Sequence, residues 1–172
     1  CVDNATGLLK REPAAVEAVF EGLVIGGVAM AYAGVSRPAS GVEHYFSHVW
    51  DMRGLEFGTK VELHGIQCAM GTLQAVKLYD YLRSVTPDSE KAQAYVQNLS
   101  VEDGKLQLRA ILGTGAEAMI AQEAGEQKYS KETHHARLSK IMENWDAILQ
   151  ILREELPTYD SLCELLDTVG IS

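Results

Sequence analysis

The stretch Ser36-Arg-Pro-Ala-Ser-Gly-Val-Glu-His-Tyr-Phe-Ser-His48, followed by Leu63-His-Gly65, brings three of the five histidines of the chain into one short region. His44 and His48 are four residues apart, so they share one face of a helix. His64 follows after enough residues for a turn and the start of a second helix. Two imidazoles from neighbouring helices can bind a divalent metal and leave the third as a base. The alternative is that the histidine pair consists of two polar residues that share a groove.

The residues before the first histidine predict a helix boundary and an anion site. Pro38 lacks an amide hydrogen and biases Arg37 away from helical angles, so one helix ends here. Ser40 is a good cap for the next helix, and Glu43 three residues later completes a capping box. A helix amino terminus beside Arg37, Ser36 and Ser40 suits an anion such as phosphate.

Helical periodicity accounts for the rest of the chain, and strand patterns are nearly absent. The sequence predicts an all-α helical bundle forming a single domain, residues 1–172. The predicted helices cover about residues 14–33, 41–52, 64–84, 88–99, 106–112, 133–156 and 158–169. Residues 53–58 are predicted to form a loop. His134 and His135, adjacent at the start of one helix, point in different directions and are predicted to be exposed.

Composition limits the classes of function. The chain has 172 residues, 47% of them hydrophobic, and a formal net charge of -9, which argues against a nucleic-acid partner. The three cysteines form no C-x-x-C motif, and a reducing cytoplasm is the expected location. The most apolar run, residues 18–35, is interrupted by glycines and Glu21, so it is interpreted as a buried core helix rather than a membrane span. No secretory signal pattern occurs at the first residues.

The segment Ser36-Arg-Pro-Ala-Ser-Gly-x-Glu-His44, together with His48, Leu63-His64-Gly65 and Gly71-Thr72, resembles the sn-glycerol-1-phosphate dehydrogenases. These enzymes belong to a superfamily with the iron-containing alcohol dehydrogenases, the glycerol dehydrogenases and the dehydroquinate synthases. The resemblance implies the fold of the C-terminal helical, metal-binding domain of that superfamily. It also implies that the chain is a fragment, because the dinucleotide-binding domain and an aspartate that serves as the third metal ligand are expected further upstream.

The resemblance assigns roles to individual residues. It implies that His44 and His64 are metal ligands and that His48 lines the substrate site and acts in catalysis. Arg37, and less directly Ser36 and Ser40, would bind a substrate phosphate. The cofactor-binding residues are not identified, and Cys68, one turn after His64, is interpreted as a packing residue.

The function implied is reversible NAD(P)H-dependent reduction of dihydroxyacetone phosphate to sn-glycerol 1-phosphate, a step of phospholipid metabolism, in a homo-oligomeric full-length parent. Zinc is the expected metal, with nickel or iron as alternatives. The fragment alone is expected to be inactive, with neither nucleic acid nor membrane as partner. Two other functions stay open: a phosphate-eliminating cyclase of the dehydroquinate synthase type, and a non-catalytic helical interaction module.

Overall fold

A computed structural model describes residues 2–127 and 130–171 of the chain. Within these ranges the chain is helical and contains no strand, which confirms the all-α prediction. The α-helices are α1 (Ala5–Leu9), α2 (Pro13–Ala33), α3 (Val42–Phe57), α4 (His64–Ser84), α5 (Ser89–Asn98), α6 (Val101–Leu112), α7 (Ala116–Gly125), α8 (Lys131–Glu143), α9 (Trp145–Glu155) and α10 (Tyr159–Thr168). Short 3-10 helices cover Val2–Asn4 and Gly113–Gly115.

Helix ends follow the capping chemistry where the sequence supplies it. Pro13 opens α2, and Gly34 ends it with a φ of 66°, a left-handed conformation that glycine adopts without strain. The side chain of Asp88 accepts the amide of Lys91 at the start of α5. The side chain of Thr158 accepts the amide of Ser161 at the start of α10. The predicted starts of these three helices are confirmed.

Several helices differ from the prediction. α6 begins at Val101, five residues before the predicted start at residue 106, and α7 (Ala116–Gly125) was not predicted. α3 continues to Phe57 through the predicted loop and ends at Gly58, whose φ is 66°. The guanidinium of Arg53 lies 5.0 Å from the centroid of the Phe57 ring one turn later, a contact that favours the helical conformation. The predicted helix over 133–156 is two helices, α8 and α9, separated at Asn144, which has a φ of -110° and a ψ of 16°.

The apolar helix α2 is exposed, so the prediction of a buried core helix is wrong. Leu23 is 70% exposed, Ile25 68% and Phe20 66%. Among the described elements, α2 mainly contacts α1 and the first 3-10 helix, which are too short to cover its apolar surface. By length and composition alone α2 could cross a membrane, with a mean hydropathy of 1.7. One such helix is weak evidence by itself, because core helices pass the same test.

The described residues cluster into two compact units. Of the described residues, the first unit comprises 2–48, 62–80 and 157–171, and the second comprises 49–61, 81–127 and 130–156. Buried apolar residues of the first are Ala5, Ala15, Leu73, Ala75 and Val76; those of the second are Val96, Leu112, Ala116 and Leu152. Two buried polar side chains, Ser47 and Gln67, also lie in the first unit. A buried polar group needs a hydrogen-bond partner, so this pair directs attention to their surroundings.

Candidate functional site

The first unit brings His44, His48 and His64 together. The ring centroids of His44 and His64 are 5.1 Å apart, and His48 lies 6.3 Å from each of them. His44 and His48 share one face of α3, whereas His64 is the first residue of α4. His44 is half-buried, and the other two are exposed. The three imidazoles therefore form a cluster that is accessible to solvent and to a small ligand.

Gly71 allows α3 and α4 to approach closely enough for this cluster. A Cβ atom at Gly71 would lie 2.7 Å from the backbone carbonyl oxygen of Glu43 and 3.2 Å from the Cβ of Phe46. Real Cβ atoms do not approach backbone oxygens so closely, so only glycine fits. His44 follows Glu43 directly on α3, and the contact therefore sets the separation of His44 from α4.

Glu43 orients the first histidine. Its Oε1 accepts the backbone amide of Gly41 at 2.7 Å and the Nδ1–H of His44 at 2.8 Å. Partial burial by itself would raise the pKa of Glu43, but these hydrogen bonds outweigh it and the pKa lies below its ordinary value. The predicted capping box is thus shifted by one residue, since Glu43 caps Gly41 rather than Ser40. Because Nδ1 of His44 faces the carboxylate, Nε2 is the nitrogen left for a ligand.

A chain of hydrogen bonds orients the second histidine. The Nε2 of Gln67 donates to the backbone carbonyl of Glu62 at 2.9 Å, which turns its Oε1 toward Ser47. The hydroxyl of Ser47 donates to that Oε1 at 3.0 Å. Since its only hydrogen is used, Ser47 Oγ accepts from the Nδ1–H of His64 at 2.9 Å. The Nε2 of His64 therefore carries the lone pair. We call Gln67, Ser47 and His64 the hydrogen-bond relay.

The sequence analysis did not identify Ser47 and Gln67. Both are buried: Ser47 is fully enclosed and Gln67 is 4% exposed. A serine and a glutamine that support a histidine have no characteristic spacing in sequence, so no sequence pattern indicated their role. The one available signal was position, because Ser47 lies directly before His48 and Gln67 lies one turn after His64.

The predicted phosphate-binding residues lie on the turn between α2 and α3. Ser36 and Arg37 are exposed, and Ser40 is half-buried. The backbone carbonyl of Ser36 accepts the amide of Ala39 at 3.0 Å, which closes the turn. These residues belong to the same unit as the histidine cluster. Their role in phosphate binding stays a prediction.

The donor set around the cluster suits a divalent metal. The two nitrogens left by the hydrogen bonds are lone-pair donors, and the second ring nitrogen of each is held by an oxygen, as is usual for metal-bound histidines. One donor atom of each of His44, His64 and Cys68 lies within 4.8 Å of the others. Neutral imidazoles suit zinc, nickel and iron, so the histidines alone do not select the metal.

The two remaining histidines lie in the second unit, and the prediction that both are exposed is wrong. Both are half-buried. The ring of His135 lies between Gln93 and Gln97 of α5, with hydrogen bonds to both amides. His135 is therefore a packing residue between α5 and α8 rather than a solvated side chain.

Comparison with known proteins supports the predicted resemblance over part of the chain. The chain is 43% identical over 77 residues to a protein of Korarchaeum cryptofilum named glycerol-1-phosphate dehydrogenase [NAD(P)+], which covers 45% of this chain and 24% of that protein. It is 36% identical over 105 residues to the protein of the same name from Methanosarcina mazei, covering 59% and 28% of the two chains. A third protein of that name, from Thermococcus sibiricus, is 43% identical over 72 residues, covering 42% of this chain and 19% of that protein.

The matches cover only part of this chain and only part of each relative. The matches span about a quarter of the length of these curated relatives. No family model matches the chain, and no solved structure matches it. The resemblance to glycerol-1-phosphate dehydrogenases is thus confirmed for the matched residues, and the activity of a whole protein is a separate question.

Proposed function

We propose that this chain is the helical metal- and substrate-binding part, a single domain over residues 1–172, of an NAD(P)-dependent oxidoreductase. The reaction would be the reversible reduction of dihydroxyacetone phosphate to sn-glycerol 1-phosphate in the cytoplasm, by a homo-oligomeric full-length parent. The observation that carries the proposal is the cluster of His44, His48 and His64, with ring centroids 5.1–6.3 Å apart. The name of the relatives, glycerol-1-phosphate dehydrogenase [NAD(P)+], supports glycerol 1-phosphate as one reactant and a nicotinamide cofactor.

In this proposal His44 and His64 bind the metal through their Nε2 atoms. Glu43 and the hydrogen-bond relay hold both rings in the required tautomer, because each accepts a hydrogen from Nδ1. A divalent metal there, zinc by preference, would stabilise the negative charge that develops on the carbonyl oxygen when a hydride reaches the carbon. The half-buried position of His44 limits competition from water.

His48 and Arg37 would act on the substrate. His48 is exposed and its ring is 6.3 Å from the other two, a separation that leaves room for a substrate oxygen between them. It would donate a proton to that oxygen during reduction and accept it in the reverse direction. Arg37 would bind the phosphate through two hydrogen bonds, with Ser36 and Ser40 as additional donors, and so fix the position of the carbonyl.

Metal analysis of the purified chain tests the site itself. We expect one zinc per chain by mass spectrometry after dialysis, and loss of that zinc in His44→Ala and His64→Ala. His135→Gln is the matched control. It removes an imidazole of the second unit, and the amide of the new glutamine can still form a hydrogen bond with α5. An interaction module without a metal site would show no stoichiometric zinc in any of the four proteins.

Kinetics of the full-length parent test the reaction. With dihydroxyacetone phosphate and NADH or NADPH, we expect oxidation of the nicotinamide and formation of sn-glycerol 1-phosphate. His48→Ala should lower kcat by about 10²–10⁴-fold. Arg37→Ala should raise KM by about 10- to 100-fold, because it removes charge-assisted hydrogen bonds to the phosphate. Release of inorganic phosphate without oxidation of the nicotinamide would identify a cyclase instead.

A further inference from the structure

The second unit contains a cavity of about 550 Å³ between two pairs of helices. α5 packs against α8, α6 packs against α7, and all four helices contribute to the wall of the cavity. Its volume lies within the range of about 300–1,000 Å³ that is typical of small-molecule sites. Most of the wall is apolar, and its apolar and aromatic side chains are Tyr95, Leu99, Val101, Leu108, Ile120 and Ala124. The cavity therefore suits a ligand with an apolar body.

One side of this cavity is a helical hairpin formed by α6 and α7. The two helices are joined by the short 3-10 helix Gly113–Gly115, and helices with so short a connection run antiparallel. The ion pair between Nε of Arg109 and Oε1 of Glu117, 2.6 Å apart on either side of the turn, agrees with that direction. Residues equally far in sequence from Thr114, the centre of the turn, therefore lie at about the same level of the hairpin.

Two pairs of residues on the hairpin line the cavity at successive levels. Leu108 and Ile120 are each six positions from Thr114 and form an apolar level. Lys105 and Glu123 are each nine positions from Thr114, about one turn further along both helices, and form a charged level. The wall thus changes from apolar near the turn to one cation and one anion at the open end of the hairpin.

Lys105 and Glu123 do not form an ion pair with each other. The ammonium of Lys105 lies 2.7 Å from Oε1 of Glu102, whose side chain is 75% exposed. An ion pair with so exposed a carboxylate contributes little in water, so Lys105 can exchange it for a ligand carboxylate. The other ion pair of the hairpin joins Arg109 to Glu117, so the half-buried Glu123 belongs to neither pair. The cation and the anion of the charged level are both able to bind a ligand.

His134 of α8 adds a hydrogen-bonding group from the other pair of helices. Its imidazole lines the cavity, and its Nδ1 is enclosed by protein without a hydrogen-bond partner among the described residues. The adjacent His135, by contrast, has hydrogen bonds at both ring nitrogens. A buried polar atom without a partner is destabilising. A half-turn of the ring about its Cβ–Cγ bond moves this nitrogen to the other edge, where a polar group of a ligand can satisfy it.

We propose that this cavity binds an apolar α-amino acid of the size of phenylalanine. The side chain of the ligand lies at the level of Leu108 and Ile120, its ammonium group binds Glu123, and its carboxylate binds Lys105 and His134. A zwitterion with an apolar side chain matches every part of the wall. A carboxylate without an amino group leaves Glu123 unpaired and is repelled by it, and an amine without a carboxylate has the same conflict with Lys105. The site does not depend on the metal centre proposed for the first unit.

Four probe ligands test the proposal on the whole unsubstituted chain, with affinity measured by isothermal titration calorimetry. L-Phenylalanine has all three recognised groups, 3-phenylpropanoate lacks the ammonium, phenethylamine lacks the carboxylate, and glycine lacks the apolar side chain. We expect L-phenylalanine to bind one molecule per chain. Each analogue should bind at least about tenfold more weakly, because it loses a charge-assisted hydrogen bond or the apolar contact.

Two substitutions locate the ligand in the cavity. Glu123→Gln should weaken binding of L-phenylalanine about 10- to 100-fold and remove its advantage over 3-phenylpropanoate. Lys105→Gln should weaken it to a similar extent and remove its advantage over phenethylamine. Glu143→Gln and Lys140→Gln are the matched controls, because they remove the same charges from exposed positions of α8 that do not line the cavity, and they should bind L-phenylalanine unchanged.

The results that would overturn the proposal are distinct from those that bear on the metal. Absence of binding by L-phenylalanine at millimolar concentration would overturn it. Equal affinity for L-phenylalanine and for either singly charged analogue would show that the ligand is not recognised as a zwitterion. Binding that survives unchanged in Glu123→Gln and Lys105→Gln would place the ligand outside this cavity. The zinc content of the chain decides the metal site separately, since none of these variants changes a histidine.

Discussion

Replacement of Ser47 by alanine should affect both the metal site and the stability of the chain. Ser47 is fully buried and makes two hydrogen bonds, one donated to Gln67 and one accepted from His64. The substitution removes the central member of the relay while changing the side-chain volume by only one oxygen atom. The tautomer of His64 is then no longer fixed, and the amide oxygen of Gln67 loses its donor.

The magnitude follows from which partner can recover a hydrogen bond from water. His64 is exposed, so its Nδ1 can be solvated after the substitution. Gln67 is 4% exposed, so water does not readily replace the hydrogen bond from Ser47, and its loss should lower the free energy of unfolding by about 1–3 kcal/mol. Loss of an outer hydrogen bond to a metal-bound histidine typically weakens metal binding about 10- to 100-fold, or about 1.4–2.7 kcal/mol.

Three measurements test this prediction. Urea unfolding gives the change in stability, chelator competition gives the zinc affinity, and nitrogen-15 NMR of the imidazole reports the tautomer of His64. Ser139→Ala, at an exposed position of α8, is the control and should change none of them. In a double-mutant cycle with Gln67→Leu, the second substitution should cost little once Ser47 is gone. Unchanged zinc affinity and an unchanged His64 tautomer in Ser47→Ala would refute the relay.

Three further predictions concern other parts of the chain. Gly71→Ala should lower stability by about 1–3 kcal/mol in urea unfolding, because the new Cβ meets the backbone of α3, whereas Gly104→Ala, with nothing nearby, should raise it by about 0.5–1 kcal/mol. Hydrogen bonds from Thr114 lower the pKa of Glu56 below 4.5, so their stabilisation is present above that pH and is lost as pH falls through the lower folded pKa. Urea midpoints measured from about pH 6 to about pH 3 should fall less in Glu56→Gln than in the unsubstituted chain. Leu23→Lys on α2 should change stability by less than about 0.5 kcal/mol, because the side chain is 70% exposed, whereas a core leucine would cost about 2–5 kcal/mol.

The features of the candidate site that depend on local helix geometry were predictable from the sequence. The four-residue spacing of His44 and His48 fixes a shared face, and the position of His64 at a helix start directs it toward the neighbouring helix. The tautomers were not predictable, because they depend on Ser47 and Gln67 meeting across α3 and α4. That meeting requires the close approach at Gly71, which is a tertiary contact. Sequence spacing alone therefore indicated the donors but not their orientation.

Helix boundaries were predictable where one residue supplies the cap. Pro13, Asp88 and Thr158 each satisfy or replace a backbone amide within a few residues, so their effect is local. The prediction of a loop is wrong between Arg53 and Phe57, because Gly54 does not end α3. One glycine costs a helix about 1 kcal/mol, and neighbouring contacts readily offset that amount.

The exposure of α2 shows why burial is harder to predict than helix formation. The apolar residues of Pro13–Ala33 are enough to predict a helix, and the glycines within the segment do not end it. Burial depends in addition on a second surface. An amphipathic pattern would indicate which face is buried, but apart from Glu17 and Glu21 the helix α2 carries no charged residue. Its described neighbours, α1 and the first 3-10 helix, together comprise only residues 2–9. The sequence of a hydrophobic helix therefore predicts apolar surface that could be buried. Which residues cover that surface depends on the tertiary structure.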